Sequence, residues 1–206
     1  MPNPKEVLEV FSELNQLYPD SSTELVYDGP FQLLAAVILS AQCTDARVNQ
    51  TTPALFARYP TPAKMAAAPL KDLEKLVHPC GFYRMKALAL KQMAASVENQ
   101  FGGEIPSTLE ELVSLRGVGR KTASVVLNQA FGLPAIAVDT HVKRVAHRLG
   151  WTEHSQPEKV EKDLKQLLPP AHWAAINGTL ILHGRRLCKS QKPLCGECPL
   201  QKHCRF

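Results

Sequence analysis

Hydrophobic positions recur at the helical period along most of the chain. Over residues 4–18, Val7, Leu8, Phe11, Leu14, Leu17 and Tyr18 fall on one stripe, which predicts an amphipathic helix. Asp28-Gly29-Pro30 reads as a turn, and residues 31–41 as a helix apolar nearly all round and therefore buried. Thr44 and Asp45 open a helix that ends near Tyr59-Pro60. Residues 61–77 predict another, broken or kinked at Pro69. His78-Pro79-Cys80-Gly81 reads as a loop, and a long helix over 83–101 is stopped by Gly102-Gly103. Ser107-Thr108-Leu109-Glu110 has the capping-box pattern of a short helix running to Leu115. Beyond residues 115–139, helices are expected over 139–149 (closed by Gly150), 157–168 (closed by Pro169-Pro170) and 171–183. Only residues 135–138 could be extended, and they are too few to found a sheet. The chain is expected to be all-α, with short loops that pack successive helices as antiparallel neighbours. Gly132-Leu133-Pro134 is the best candidate boundary.

Charge sharpens this picture. The net charge is +5 over 206 residues. Residues 115–150 carry six Lys/Arg against Asp139 alone, and residues 184–206 carry six against Glu197 alone. Each segment is therefore +5 and everything else is −5. Positive charge confined to two segments suits a polyanion, although two solvated basic faces would look the same. Residues 1–18 are charged and amphipathic, without the apolar run of a secretory leader, and the apolar run near 33–39 is too short to span a bilayer. A soluble, cytoplasmic protein is expected, associated with the nucleoid if the source is bacterial.

The chemistry concentrates in residues 115–139. Gly117-Val118-Gly119 lies between two helical patterns, so the chain makes a tight helix–hairpin–helix turn there. Amides in such a turn, with a helix starting at once behind them, can receive a phosphate oxygen, and Arg120 adds charge. An ordinary helix–helix turn is the alternative. Lys121 falls in the first turn of the following helix, where the helix dipole and Arg120 both lower the cost of losing a proton. A neutral amine there could attack carbon; a plain phosphate contact is the simpler reading. Asp139 precedes Thr140-His141-Val142 as a helix N-cap, and a capped carboxylate can also serve as a proton acceptor. Near the C-terminus, Cys188, Cys195, Cys198 and Cys204 are spaced C-x6-C-x2-C-x5-C. Four thiols in so short a span imply a shared centre, with zinc and an iron–sulfur cluster close rivals on chemistry alone. Cys43 and Cys80 stand apart.

The run LRGVGRKTASVVLNQAFGLPAIAVDTHVKRV resembles the helix–hairpin–helix DNA glycosylases, in their endonuclease III branch. SAQCTDARVN at 40–49, GFYRMKA at 81–87, LILHGRRLC at 180–188 and the four cysteines extend the likeness along nearly the whole chain. The resemblance implies a two-domain all-α fold: a six-helix domain over 23–134 containing the hairpin, and a discontinuous cluster domain from 1–22 and 135–206. It implies a bifunctional enzyme that removes oxidised pyrimidines from duplex DNA and then cuts the strand at the abasic site by β-elimination. DNA would lie across a cleft between the domains, and a monomer is expected.

The resemblance also distributes roles. Lys121 and Asp139 fall on the catalytic positions. Gln42 and Phe82 fall on the residues that fill the gap left by a flipped base. Arg116, Gly117, Val118, Gly119 and Arg120 fall on the backbone-gripping hairpin, and Ser40, Asp45 and His141 on the base pocket. The cysteine spacing is that of a [4Fe-4S] site, which decides against zinc and makes Lys189 and Lys192 part of a second basic loop. Three positions depart from the pattern: Phe82 where leucine is usual, Arg116 for the hairpin proline, and Cys43 for a small residue. A monofunctional adenine glycosylase would lack Lys121 and extend past the cluster, whereas this sequence ends two residues after Cys204. A non-catalytic DNA-binding module holding zinc is the rival from another class.

Overall fold

A computed structural model describes residues 2–21 and 23–206. Among them there are helices and turns and no strand. The chain packs as two compact units, Met1–Thr23 with Pro134–Phe206, and Glu24–Leu133.

In the first unit, α1 (Pro4–Leu17) starts from Asn3, whose side chain accepts from the Lys5 amide. Its buried face is Val7, Val10, Phe11 and Leu14, continued by Tyr18. Val10 therefore belongs to the stripe, while Leu8 and Leu17 lie at its exposed margin. α9 (Thr140–Arg148), α10 (Pro157–Leu167) and α11 (Trp173–Arg186) complete this unit's helices. Their core gathers Val142, Val145, Val160, Leu164, Ile176 and Leu180 on the α1 face, and Trp151 joins it. α11 runs three residues past the expected end, to Arg186, and so delivers the chain directly to Cys188. Gly184 permits that approach: a Cβ there would stand 2.9 Å from the Cβ of His141 on α9. Residues 135–138 lie outside any helix and are buried, with the Ala137 amide donating to Asn177 Oδ1 at 2.9 Å.

The second unit is built on α2 (Gly29–Leu39), which begins two residues earlier than expected and buries seven of its 11 residues. It packs on α3 (Asp45–Arg58), α6 (Tyr83–Phe101) and α8 (Arg120–Phe131). Each large aliphatic side chain buried on α2 contributes about 1.5–3 kcal/mol. Of the break or kink expected at Pro69 within 61–77, the structure shows the break: α4 (Pro62–Ala67) and α5 (Leu70–Val77) are separate helices, because Pro69 follows an extended Ala68 (ψ 139). A 3₁₀ turn, His78–Cys80, leads into Gly81 and α6. The capping box before α7 (Leu109–Ser114) falls one residue later than expected: Thr108 caps the Glu111 amide, and the Thr108 hydroxyl donates to Glu111 Oε2 at 2.7 Å.

Candidate functional site

The hairpin is the turn between α7 and α8. Gly117 has φ 80, and a Cβ there would stand 3.2 Å from the Cβ of Ala89 on α6, so glycine is required twice over. Gly119 has φ −89 and needs no left-handed backbone; nothing of the chain lies within 4 Å of its would-be Cβ. Its use is the open approach it leaves at the N-cap of α8. Val118 turns its side chain inward, and its amide is spent on the Leu115 carbonyl at 3.1 Å. The place chemically suited to an anion is therefore the start of α8 rather than the turn as a whole. Arg116, Arg120 and Lys121 are all exposed, with Lys121 the second residue of α8.

Among the described residues, three that are not glycine adopt a left-handed backbone: Gln42 (φ 51), Phe82 (φ 46) and Lys192 (φ 49). For ordinary side chains this conformation costs roughly 1–3 kcal/mol and concentrates at functional positions. Gln42 lies in the turn between α2 and α3, and Phe82 is the cap residue of α6. Both line one groove of about 390 Å³, with Gly117 of the hairpin and Thr122 of α8 on its wall. Phe82 is 63% exposed, a large apolar surface to leave in water without a use. Met85, one helical turn on and 74% exposed, lines the same groove. The sequence reading passed over Met85; its i, i+3 spacing from Phe82 was the available signal.

The proposed pocket residues are more ordinary locally. Ser40 is the C-cap of α2 and its hydroxyl donates to the Val37 carbonyl at 2.9 Å. Asp45 is the first residue of α3, beside the Thr44 cap. Asp139 caps α9 doubly, its Oδ1 accepting from the His141 and Val142 amides at 2.8 Å each. Those two bonds fix the direction of the carboxylate. His141 presents Nδ1 to Arg144 Nη2 at 3.1 Å.

The four C-terminal cysteines line one cavity of about 80 Å³, walled otherwise by Val145, Leu149, Leu187 and Leu200 among others. Burial first, then the neighbouring thiols of Cys188, Cys204 and Cys195, push the Cys198 thiol up against the opposing effect of the Leu200 amide. Sulfurs so placed call for positive charge among them. Among the described residues no three His, Cys, Asp or Glu side chains gather on a single metal-ion position. Four thiols lining one such space fit a cluster that would offer each thiolate its own iron.

Arg148 and Arg144, one turn apart on α9, serve this site and were missed by the sequence reading. Arg148 Nη1 donates to Cys188 Sγ at 3.3 Å and to the Lys189 carbonyl at 2.8 Å. Arg144 donates to the carbonyls of Gly184 (2.8 Å) and Cys188 (3.1 Å). Their i, i+4 spacing beside Asp139 was a legible hint. Behind them, buried His183 stands between the Tyr18 hydroxyl (3.2 Å) and Cys198 Sγ (3.6 Å), and burial lowers its ring to about 4. Lys189 and Lys192 are exposed on the loop between the first two cysteines.

Residues 35–170 match the HhH-GPD superfamily of base excision DNA repair proteins, and residues 188–204 match the iron–sulfur binding domain of endonuclease III. The endonuclease III of Synechocystis is 47% identical over 197 residues, covering 95% of this chain and 90% of its own. That of Bacillus subtilis is 44% identical over 208 residues, covering 100% and 94%. A solved endonuclease III–DNA complex, a trapped covalent intermediate with an estranged adenine, superimposes with a TM-score of 0.94 at 44% identity, covering 100% of this chain and 97% of that one.

Proposed function

The chain belongs to the endonuclease III family, within the HhH-GPD superfamily of base excision DNA repair proteins, and we propose that it excises oxidised pyrimidines from duplex DNA with Lys121 as nucleophile. It is a DNA glycosylase and abasic-site lyase, and it carries a [4Fe-4S] cluster. The observation that carries the residue assignments is the groove shared by Gln42, Phe82 and the hairpin. A strained polar side chain and a strained apolar one, both exposed, stand beside the turn that offers an open helix start.

In this reading the start of α8 and Arg120 receive a phosphate, while Arg116 adds charge to the same strand. Phe82 enters the stack where the damaged base leaves, and Gln42 hydrogen-bonds the orphaned partner. Ser40, Asp45 and His141 contact the extruded base. The Lys121 amine forms a bond to C1′ as the C1′–N bond breaks and the base departs with a proton. Asp139, held by its two amide bonds, accepts the proton that the Lys121 nitrogen sheds once it is bonded to C1′, while the departing base draws its own proton from water. The C1′–O4′ bond then opens, O4′ taking the proton held by Asp139, and leaves a Lys121–C1′ iminium that acidifies C2′; loss of the C2′ proton expels the 3′ phosphate and cuts the strand. Cys188, Cys195, Cys198 and Cys204 hold the cluster, which when bound supplies four iron–thiolate bonds that tie the C-terminal turns together. Lys189 and Lys192 then meet the DNA backbone as a second basic loop. Residues 23–134, with the hairpin, and 1–22 with 135–206, with the cluster, act as the two domains of a monomer working in the cytoplasm. No helix among the described residues is long and apolar enough to cross a membrane.

Borohydride trapping on an abasic duplex tests the nucleophile. A covalent adduct is expected with the native protein and none with Lys121→Gln, while both retard the duplex on a gel. An undiminished adduct from the variant would sink the assignment. Base release from duplexes carrying an oxidised pyrimidine, an oxidised purine or no lesion tests the substrate class; equal release from all three excludes it.

A further inference from the structure

A methionine thioether is open to oxidation where solvent reaches it, and the product is a polar sulfoxide. The chain has four methionines. Met65 and Met93 are fully buried, and Met1 lies outside the described residues. Met85 is mostly exposed. The core makes no use of it: α6 buries Lys86, Leu90, Met93 and Val97, and Met85 lies off that face. Its side chain instead lines the groove shared by Phe82, Gln42 and Gly117, where Val37, Ile38, Ala41 and Ala89 also contribute. Buried Lys86 fastens the rim that carries both Phe82 and Met85. Its Nζ donates to the Cys80 carbonyl at 2.7 Å, tying the 3₁₀ turn before Phe82 to the start of α6. Two large apolar side chains are thus held one helical turn apart on a fixed support, both mostly in water.

We propose that Met85 is a second apolar contact to the opened duplex, beside Phe82, and that its oxidation by hydrogen peroxide is a modification that loosens the grip on DNA. A lone pair of the Met85 sulfur attacks one peroxide oxygen. The S–O bond forms as the O–O bond breaks, and the departing hydroxide takes the proton left on the transferred oxygen. One thioether and one peroxide give one sulfoxide and one water; the sulfur loses two electrons and the peroxide gains them.

A thioether is flexible, polarisable and suited to the faces and edges of aromatic rings, which the bases of an opened duplex present. The sulfoxide carries a strong dipole at the same point, and that dipole must shed its water before the contact can form. DNA seated in the groove in turn covers the sulfur and keeps peroxide from it. The contact rests on the groove reading proposed above for Gln42 and Phe82; oxidation of Met85 ahead of Met65 and Met93 does not.

The test treats the holoenzyme with peroxide, free and bound to a duplex carrying an uncleavable abasic analogue, at doses that leave the cluster's visible absorption intact. Peptide masses then score the sulfoxide at each methionine. Met85 should oxidise well ahead of Met65 and Met93 in the free enzyme, and the duplex should slow it. Affinity for the abasic duplex should fall about tenfold on oxidation, the loss of one apolar side chain. It should stay low in dithiothreitol, which reverses sulfenic acids and disulfides, and recover with methionine sulfoxide reductases for both epimers. Met85→Gln should bind as weakly as the oxidised protein before any peroxide is added. Met85→Leu offers no sulfur, so its affinity should be the same before and after treatment. Equal oxidation of Met85 with and without the duplex overturns the contact, whatever the affinity. A loss of affinity that dithiothreitol alone reverses, or that Met85→Leu shares, overturns the modification as its cause. Phe82→Ala reads the wedge separately: if it binds the abasic duplex with native affinity that reading fails, while protection of Met85 by the duplex still decides the contact.

Discussion

At the scale of single residues, Asp139 caps a helix and, in the function proposed above, also takes part in the reaction. Its Oδ1 satisfies two amides at the start of α9, a capping arrangement that contributes about 1 kcal/mol. Asparagine can cap equally well but accepts no proton from an amine. Asp139→Asn should therefore melt within a degree or two of the native protein while base release falls about 100-fold or more, within the range given to a proton-transfer group. Asp139→Ala should lose both, the cap loss appearing as about 1 kcal/mol in denaturant unfolding. A variant with asparagine that keeps native base release would reduce Asp139 to its structural job. The sequence showed Asp139 before a helix and Lys121 within one, because both depend on local order. It could not show that Gln42, Phe82 and Lys192 share a left-handed backbone, since for residues other than glycine that conformation is imposed by surroundings.

At the scale of elements, hydrophobic period located nearly every helix, and the differences are local contests of bonding. α4 and α5 separate where Pro69 forces its predecessor out of the helix. The cap of α7 is Thr108 rather than Ser107 because the Thr108–Glu111 pair closes both of its hydrogen bonds. In the hairpin, Leu115 is already extended (φ −68, ψ 134), the conformation proline demands of the residue before it. Arg116→Pro should then stabilise the protein by about 0.4–1 kcal/mol through the unfolded chain. It should also lower the slope of log affinity against log salt by about 1, the loss of a single phosphate contact. An unchanged slope would remove Arg116 from the interface. A second element, the loop before α10, is fastened by Asp163, whose carboxylate takes the Thr152 hydroxyl and His154 Nδ1 (2.9 Å). Burial pushes the Asp163 carboxyl up, but these two partners more than offset it and hold it below the usual aspartate value. The folded state thus binds the proton less readily than the unfolded one. The contribution is whole above the ordinary aspartate range near pH 4 and is lost as pH falls through the lowered folded value. Asp163→Asn should cost about 1–2 kcal/mol at neutral pH and flatten the acid limb of a melting-temperature profile. A limb as steep as the native one would exclude this carboxylate as its source.

At the scale of the whole molecule, the C-terminal segment is the part least able to hold itself. From Cys188 to Phe206 it forms two 3₁₀ turns, and Leu200 is the residue there that is fully buried. Its other ties are mostly polar, among them Arg144 to the Cys188 carbonyl, Arg148 to the Lys189 carbonyl, the Arg205 amide to the Arg148 carbonyl, a His203–Glu6 pair at 3.2 Å, the Phe206 ring under the Arg148 guanidinium, and a Lys202–Glu13 ion pair at 2.8 Å. An exposed pair of that kind contributes about 0–1 kcal/mol. One buried leucine cannot offset the entropy of ordering such a segment, at about 1–2 kcal/mol per residue. Binding of the cluster has to supply the difference, as metal binding does in small metal-folded domains. Residues 24–133 keep a core of their own and contain none of the four clustered cysteines. Stripping the iron with a chelator under reducing conditions should therefore expose Lys189, Lys192 and Lys202 to trypsin while fragments from residues 24–133 stay resistant. Binding to undamaged duplex should weaken in parallel, because the loop that carries Lys189 and Lys192 loses its frame. If the stripped protein resists trypsin at those lysines as well as the loaded one does, the segment is held by its protein contacts, and the cluster serves some purpose other than support.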